Sequence, residues 1–331
     1  MTTGATTATA IAHPNIALAK YWGKTARAGN YPAVPSLSVT LEGMTTTTRV
    51  SFDAALARDR VVLNGGEPGG DAHARACTLL DRVRAATGEK RFASIDSTND
   101  FPTASGLASS ASGFAALALA ATRAAGNGAR DLDASQVSDL ARRSSASAAR
   151  SVFGGFVELA AGSGDPADEV LSAKPVAPID HLDLRVLVCV TREGKKAVGS
   201  TDGMRRTAAS SPYYRAWLDA APRMFEALRA ALLAKDFEQV GTLAEASALA
   251  MHASAIAAGV IYFEGATLAV LEAVRSLRSN GLPAWSTIDA GPHVKVLVHD
   301  ADAARITEAL AAVPGVLRVL YTRPGEGARL A

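Results

Sequence analysis

Only two cysteines, Cys77 and Cys189, occur in 331 residues. A disulfide framework and a four-thiolate zinc site are therefore excluded. An excess of one charge is also lacking, since 34 basic and 32 acidic residues leave a formal net charge of +2. That balance argues against the chain-wide polyanion surface of a nucleic-acid protein, though not against a local basic pocket. Long hydrophobic runs are missing too. The longest, around Ala115 to Ala121, is Ala-rich and too short to span a bilayer. The Thr- and Ala-rich first ten residues have no basic n-region of a signal peptide. A cytoplasmic protein without membrane or nucleic-acid partners is the expectation. His13, His73, His181, His252, His293 and His299 show no metal-ligand spacing, so no protein-built metal site is expected. Gly-x-Ser-x-Gly is absent, leaving the α/β-hydrolase elbow unsupported.

What is present is a folded composition, 48% hydrophobic and 20% charged, long enough for two linked domains. Ser38 to Phe52 alternates and is rich in β-branched residues, which predicts strands. Arg60 to Leu63 predicts a short strand followed by an Asn64-Gly65 hairpin turn. Helical spacing covers Ala72 to Ala86, Phe92 to Ser97 reads as a strand, and an Ala-rich helix runs from about Ser109 to Ala125. A helix over Ser135 to Arg142 leads to a Ser-rich turn and a helix start near Ser147. Leu184 to Val190 predicts a buried strand. Helices are expected over Tyr213 to Leu233, Phe237 to Ala253, Gly265 to Asn280 and Ala301 to Val313, with strands over Ala284 to Asp289, Val294 to Val298 and Val316 to Tyr321. The pattern points to two α+β layers. The Gly-, Pro- and Asp-containing stretch 162–178 is the linker candidate, which puts the boundary near residue 180.

Two serine-rich loops carry chemistry. Asp100 to Gly113 follows a strand and opens a helix. Gly106 permits close backbone approach, Ser109, Ser110 and Ser112 offer hydroxyls, and the free N–H groups of a helix start bind anions. The loop lacks the Lys-Ser/Thr ending of a Walker A motif and the Gly-x-Gly-x-x-Gly of a dinucleotide fold. An N-capped helix after a turn has the same appearance. Ser144 to Ser151 repeats the theme, and Arg150 could contact a carboxylate or phosphate in bidentate fashion. Tyr21, Trp22, Gly23 and Lys24 are expected at the end of an early strand, where rings are as often core as contact residues. Asp289 ends a strand before Gly291-Pro292, as a proton acceptor or as an Asx-turn acid. His293, in that turn, is expected to be solvated.

Together these motifs resemble the diphosphomevalonate decarboxylases of the GHMP kinase superfamily. The matching segments run from Asn15 to Lys24, Pro35 to Leu41, Asn99 to Ala111, Ser145 to Phe156, Gly199 to Met204, Met251 to Ala253 and Asp289 to Pro292, in family order. The resemblance implies an α+β, two-domain GHMP kinase fold. Residues 1–180 would form the nucleotide-loop domain and 181–331 a ferredoxin-like domain. It implies ATP as co-substrate with Mg²⁺, mevalonate 5-diphosphate as substrate, isopentenyl diphosphate as product, and a homodimer.

By the same resemblance Asp289, Lys24 and Arg150 are catalytic. Tyr21, Trp22, Gly23, Lys24, Arg75, Ser145, Ala146, Ser147, Ala148, Ala149, Arg150, Ser200 and Thr201 surround the substrate. Ser97, Gly106, Leu107, Ala108, Ser109, Ser110 and Ser112 bind ATP. The chain departs from the family with Ser144 and Ala146 in place of loop glycines, which reach positive φ freely. It also carries His293 where the family has asparagine, a change expected to make the site's electrostatics sensitive to pH. The alternatives are a monophosphate decarboxylase, a mevalonate-type kinase, or an inactive small-molecule sensor on the same fold.

Overall fold

The computed structural model describes residues 5–101, 109–126, 132–162, 170–194 and 197–331. Among the described residues the strands are β1 (Thr6–Ala12), β2 (Asn15–Ala19), β3 (Ser36–Thr40), β4 (Thr46–Asp53), β5 (Arg60–Leu63), β6 (Phe92–Asn99), β7 (Phe156–Leu159), β8 (Lys174–Ala177), β9 (Arg185–Val190), β10 (Ala284–Ile288), β11 (Val294–Val298), β12 (Arg318–Thr322) and β13 (Arg329–Leu330). The helices are α1 (Gly70–Thr87), α2 (Ser109–Ala124), α3 (Ala134–Ser144), α4 (Ala148–Ser151), α5 (Ser200–Ser210), α6 (Tyr214–Leu233), α7 (Phe237–Ile256), α8 (Gly265–Ser279) and α9 (Asp300–Ala311).

The strands form three sheets. One has the order β13-β1-β4-β6-β5, a second β2-β3-β7-β8, and a third β10-β11-β9-β12. The third sheet is antiparallel throughout. With α5 to α8 between β9 and β10, and α9 between β11 and β12, it has ferredoxin-like connectivity. The first sheet packs against α2, whose alanines Ala115, Ala116, Ala118, Ala120 and Ala121 are fully buried. Small side chains let that helix approach the strands closely, which explains an Ala-rich sequence that is core rather than surface.

Two features of the first half differ from expectation. Asn64 (φ 50°) and Gly65 (φ 78°) do form a tight turn. No return strand follows, however. β5 pairs parallel with β6, and the chain enters α1, so the Asn-Gly signal marks the turn but not the partner. The Tyr21 to Lys24 motif also lies beyond its predicted strand. β2 stops at Ala19 after a register shift against β3. Gly23 then takes φ 116° with its Cα against Tyr214, where an added Cβ would sit 2.2 Å from the Tyr214 hydroxyl. Only glycine combines that dihedral with that contact.

The second serine loop is positioned by α3. Asp133 and Gln136 form a reciprocal capping box at its start, worth about 1 kcal/mol. Near its other end Asp139 accepts from Arg142 Nε at 3.0 Å, Arg143 Nε at 2.7 Å and the Leu171 N–H at 3.1 Å. The buried Arg142 guanidinium lies 3.9 Å from the Tyr31 ring centroid and donates to the Gly29 carbonyl. Ser145 (φ −153°) and Ser147 (φ −66°) follow. Neither they nor Ser144 and Ala146 adopt positive φ. This loop conformation makes no use of the freedom that glycines at 144 and 146 would bring.

Candidate active site

A cleft of about 810 Å³ opens between the ends of β2 and β10, α4, and the start of α5. Its walls include Lys20, Tyr21, Trp22, Lys24, Arg75, Ser145, Ala146, Ser147, Arg150, Ser200, Thr201 and Asp289. Most of the residues singled out in the sequence therefore converge, although they are scattered over some 270 positions of the chain.

Asp289 follows β10 directly and exposes a quarter of its side chain to the cleft. Burial alone would raise its pKa. The ammonium groups of Lys20, 2.7 Å from Oδ1, and Lys295, 3.5 Å from Oδ2, overcome that and hold the carboxyl well below the usual carboxylate range. Asp289 is thus ionised at neutral pH. Lys20 is the lysine that the sequence reading missed. Its side chain is 1% exposed, and its Nζ also donates to the Ala17 carbonyl at 2.7 Å. Burial, partly offset by Asp289, brings its pKa down to about 8. The available signal was a lone cation closing the apolar run Ile16 to Ala19, since a buried lysine requires a partner.

Lys24, which the resemblance makes catalytic with Asp289, lies on the cleft wall but is not among the cations paired with that carboxylate. Its Nζ donates to Thr201 Oγ1 at 3.0 Å. Burial and then the neighbouring Arg75 guanidinium lower its pKa. Arg75 donates to the Ser144 carbonyl at 2.7 Å and lies 4.6 Å from the Phe114 ring centroid. Lys24 and Arg75 thus form a second cationic region, distinct from the Lys20–Asp289 pair.

Arg150 is 2% exposed. Its Nε donates to Ser38 Oγ at 2.9 Å, Nη1 to Ser36 Oγ at 2.8 Å and Nη2 to Asn15 Oδ1 at 3.2 Å. A guanidinium has five N–H donors, so two find no acceptor among the described residues while the group lines the cleft. Burial lowers its pKa to about 10, against the pull of Asp289, so it remains charged at neutral pH. Ser36 and Ser38 sit in β3, where every residue is buried. A strand whose polar alternate positions face inward is the sequence trace of such a charge. The Tyr21 hydroxyl is buried without a hydrogen-bond partner among the described residues.

Several assigned residues serve the frame instead. Ala148 and Ala149 are fully buried in α4. The Ser112 hydroxyl is 2.7 Å from Thr46 Oγ1 inside the core, so it is not offered to an anion. Trp22 is a cleft wall whose Nε1 donates to Thr207 at 3.1 Å. Gly23 shapes the turn. His293 is fully buried, not solvated, and its Nδ1 accepts from the Thr191 N–H at 3.2 Å. It does not line the cleft. Gly106, Leu107 and Ala108 lie outside the described residues.

A second pocket of about 180 Å³ adjoins the first through Arg75, Ser109 and Ser110. Val61, Leu63, Ile95, Phe114 and Leu117 give it apolar walls, and Ser97, held 2.8 Å from Thr48, and Asn99 add polar atoms. Among the described residues no three His, Cys, Asp or Glu side chains form a metal cluster.

Comparison with known proteins places this geometry. A family model for the diphosphomevalonate decarboxylase-like N-terminal domain matches residues 12–170. One for the mevalonate 5-diphosphate decarboxylase C-terminal domain matches residues 186–320. Diphosphomevalonate decarboxylase of Candida albicans is 31% identical, covering 95% of this chain and 94% of its own. Phosphomevalonate decarboxylase of Haloferax volcanii is 34% identical, covering 92% of each. The crystal structure of mevalonate diphosphate decarboxylase from Staphylococcus aureus superposes with a TM-score of 0.92 at 35% identity, covering 99% of this chain and 98% of that one. A solved complex described as MDDEF with MVAPP, AMPPCP and magnesium gives a TM-score of 0.90 at 37% identity, covering 99% of both chains.

Proposed function

Since the chain belongs to the diphosphomevalonate decarboxylase family, we propose how its cleft carries out ATP-dependent decarboxylation of mevalonate 5-diphosphate. ATP phosphorylates the tertiary hydroxyl. Phosphate then departs, the carboxylate leaves as carbon dioxide, and its bonding electrons form the double bond of isopentenyl diphosphate. ADP and inorganic phosphate are the other products. The observation that carries this reading is the pairing of an ionised Asp289, flanked by cations, with a buried Arg150 that keeps two N–H donors for a ligand.

Asp289 accepts the hydrogen bond of the tertiary hydroxyl and aims its oxygen at the γ-phosphate. Its depressed pKa makes it a weak base, which suits a loose phosphoryl transfer that depends on position and charge more than on early proton removal. Arg150 holds the substrate carboxylate. Lys20 adds positive potential where phosphate charge accumulates. Lys24 and Arg75, with Ser145 and Ser147 and the start of α5 at Ser200 and Thr201, receive the diphosphate, and Tyr21 supplies a hydroxyl. The apolar pocket beside Ser97 takes the nucleotide base, with Ser109 and Ser110 at the phosphates. A Mg²⁺ ion suits this donor set when phosphate oxygens supply most of its shell and Ser109 or Ser110 completes it. Held there, the ion would supply positive charge against the charge that develops on the phosphate oxygens. We further propose that residues 1–180 and 181–331 are the two domains, and that the protein is a cytoplasmic homodimer serving isoprenoid lipid synthesis.

The Haloferax relative makes the monophosphate a second reading. The paired cations Lys24 and Arg75 favour the diphosphate, because two adjacent positive groups match two phosphates better than one. The test supplies MgATP with mevalonate, its monophosphate or its diphosphate, and measures ADP and carbon dioxide together. Both products in equal amounts with the diphosphate are expected. ADP alone would indicate a kinase, and no product with any substrate would indicate a sensor.

The Lys20 pKa of about 8 sets a pH dependence. Lys20 must be charged to act, so kcat/KM should fall tenfold per unit above about pH 8, and Lys20→Arg should move that limb upward. The same group opposes folding at neutral pH. Its folded pKa lies below the ordinary 10.5, so the unfolded chain gains its proton first as pH drops from about 10.5 to about 8, and stability falls over that window. A kcat/KM flat to pH 10 would remove Lys20 from the charge-stabilising role.

A further inference from the structure

Lys295 stands on β11 among Val294, Val296, Leu297 and Val298, all fully buried. Its ammonium is 3.5 Å from Asp289 Oδ2 and 3.4 Å from the His293 carbonyl, with the side chain 2% exposed. It does not line the cleft, whereas Lys20 and Asp289 do. The backbone register explains this placement. Lys295 lies opposite Thr287 on β10, two residues before Asp289, so its stem rises behind the carboxylate.

Two points argue that this lysine is not there for stability. Burying an ammonium is unfavourable without close pairing, and an apolar side chain of similar volume commonly does as well or better. The pairing it does have is shared, since Lys20 already takes Oδ1 at 2.7 Å. One carboxylate thus stands between two buried ammonium groups, with Arg150 as a third cation and His252 close by. A carboxylate held at a single oxygen can turn about its Cβ–Cγ bond. Held at both oxygens, it cannot.

We propose that Lys295 is a positioning residue for the reaction: from behind the cleft it clamps Asp289 Oδ2 while Lys20 clamps Oδ1, fixing the plane in which Asp289 meets the substrate hydroxyl. This rests on the assignment of Asp289 given above. The groups facing the clamp are Lys20 after β2, Arg150 of α4, His252 of α7, and His293 before β11. Because the two lysines share one anion, removing Lys295 gives Asp289 wholly to Lys20 and also removes a like charge.

The experiment compares Lys295→Met, Lys295→Gln and Lys295→Arg with the wild type. Lysine side chains are ¹³C-labelled, and the Lys20 resonance is identified by its loss in Lys20→Arg. Titration by NMR should place the Lys20 midpoint near 8 in the wild type. It should rise by half a pH unit or more in Lys295→Met and stay near the wild-type value in Lys295→Arg. Lys295→Gln answers the same question if Lys295→Met does not fold. With MgATP and mevalonate 5-diphosphate, kcat should fall about tenfold in Lys295→Met, KM should change less than threefold, and Lys295→Arg should recover most of kcat. An unmoved Lys20 midpoint in the neutral variants overturns the proposal even if activity drops. The NMR arm requires no turnover, so a wild-type protein inactive on all three substrates would reject the functional reading separately.

Discussion

Asp289→Asn should lower kcat about a thousandfold while ATP-analogue binding stays within a few-fold of wild type. Asparagine keeps the size and one acceptor oxygen but removes the charge. Three effects then combine. The hydroxyl loses the ionised acceptor that aims it. An amide N–H facing the Lys20 ammonium would clash, so the side chain turns its oxygen towards Lys20, which sets its NH₂ against the Lys295 ammonium instead. Finally, Lys20, Lys295 and Arg150 are left as three buried cations without their anion, which destabilises the substrate-free fold by about 3–5 kcal/mol. The anionic substrate partly restores that balance, so the variant should be stabilised by mevalonate 5-diphosphate more than the wild type is. Single-turnover ADP formation, isothermal titration with a non-hydrolysable ATP analogue and thermal melts check the three parts. A loss of less than tenfold in kcat would remove Asp289 from its orienting role. The wild-type charge is robust in acid. The folded pKa of Asp289 lies below the ordinary 3.8, so its stabilising contribution is present above that value and disappears only as pH falls beneath it.

The second large effect concerns Arg150. Arg150→Lys should reduce kcat/KM by about 10²- to 10³-fold, the scale of a lost buried bidentate contact. Lysine keeps the charge, but it offers three donors from one point. It cannot serve Ser36, Ser38 and Asn15 and also present a planar fork to a carboxylate. Asn15, which also donates to the Ser147 carbonyl at 2.9 Å and to Ser151 Oγ at 2.7 Å, would lose one partner and loosen α4. Carbon dioxide released per ADP formed should therefore drop below one, because a phosphorylated substrate with an unheld carboxylate can dissociate before it decomposes. A ratio of one with unchanged kcat/KM would show that charge alone is sufficient at this position.

Much of this was legible in the chain. Amphipathic helices such as Ala134–Ser144 and Tyr214–Leu233 show themselves through spacing. Asp289 and Arg150 stand out as candidates because they lie at a strand end and in a serine-rich turn, and the family resemblance supplied the roles expected of them. Lys20 and Lys295 were missed for a physical reason. Each lies in or beside a strand of apolar residues, and their shared partner is 269 positions from one and six from the other. A lone lysine at the edge of an apolar run hints at burial, but nothing local names the partner it meets across the fold. Lys24, four residues on, attracted the role because its motif is conspicuous. Ser112 was read as a phosphate ligand because serine at a helix start is ambiguous. Only its contact with Thr46 shows which way the hydroxyl turns. β1, β7, β8, β13 and α5 were not anticipated. β13 has two residues and α5 begins without a side-chain cap, so neither carries a strong local signal.

The short strand β13 has a consequence for synthesis. It pairs with β1 through Ala10 and Leu330, and through Ile11 and Arg329, and the Ala331 N–H donates to the Thr9 carbonyl at 3.0 Å. The outer edge of the first sheet is thus supplied by a segment far along the sequence from β1. While a ribosome is still making residues 13 to 328, β1 exposes unpaired backbone donors and acceptors, a template for another nascent chain. The contact that covers it joins residues as far apart in sequence as Ala10 and Leu330, and such contacts form late. Truncation before residue 329 should therefore reduce the yield of refolded protein more than two residues' worth of burial suggests, with aggregation during folding as the cause.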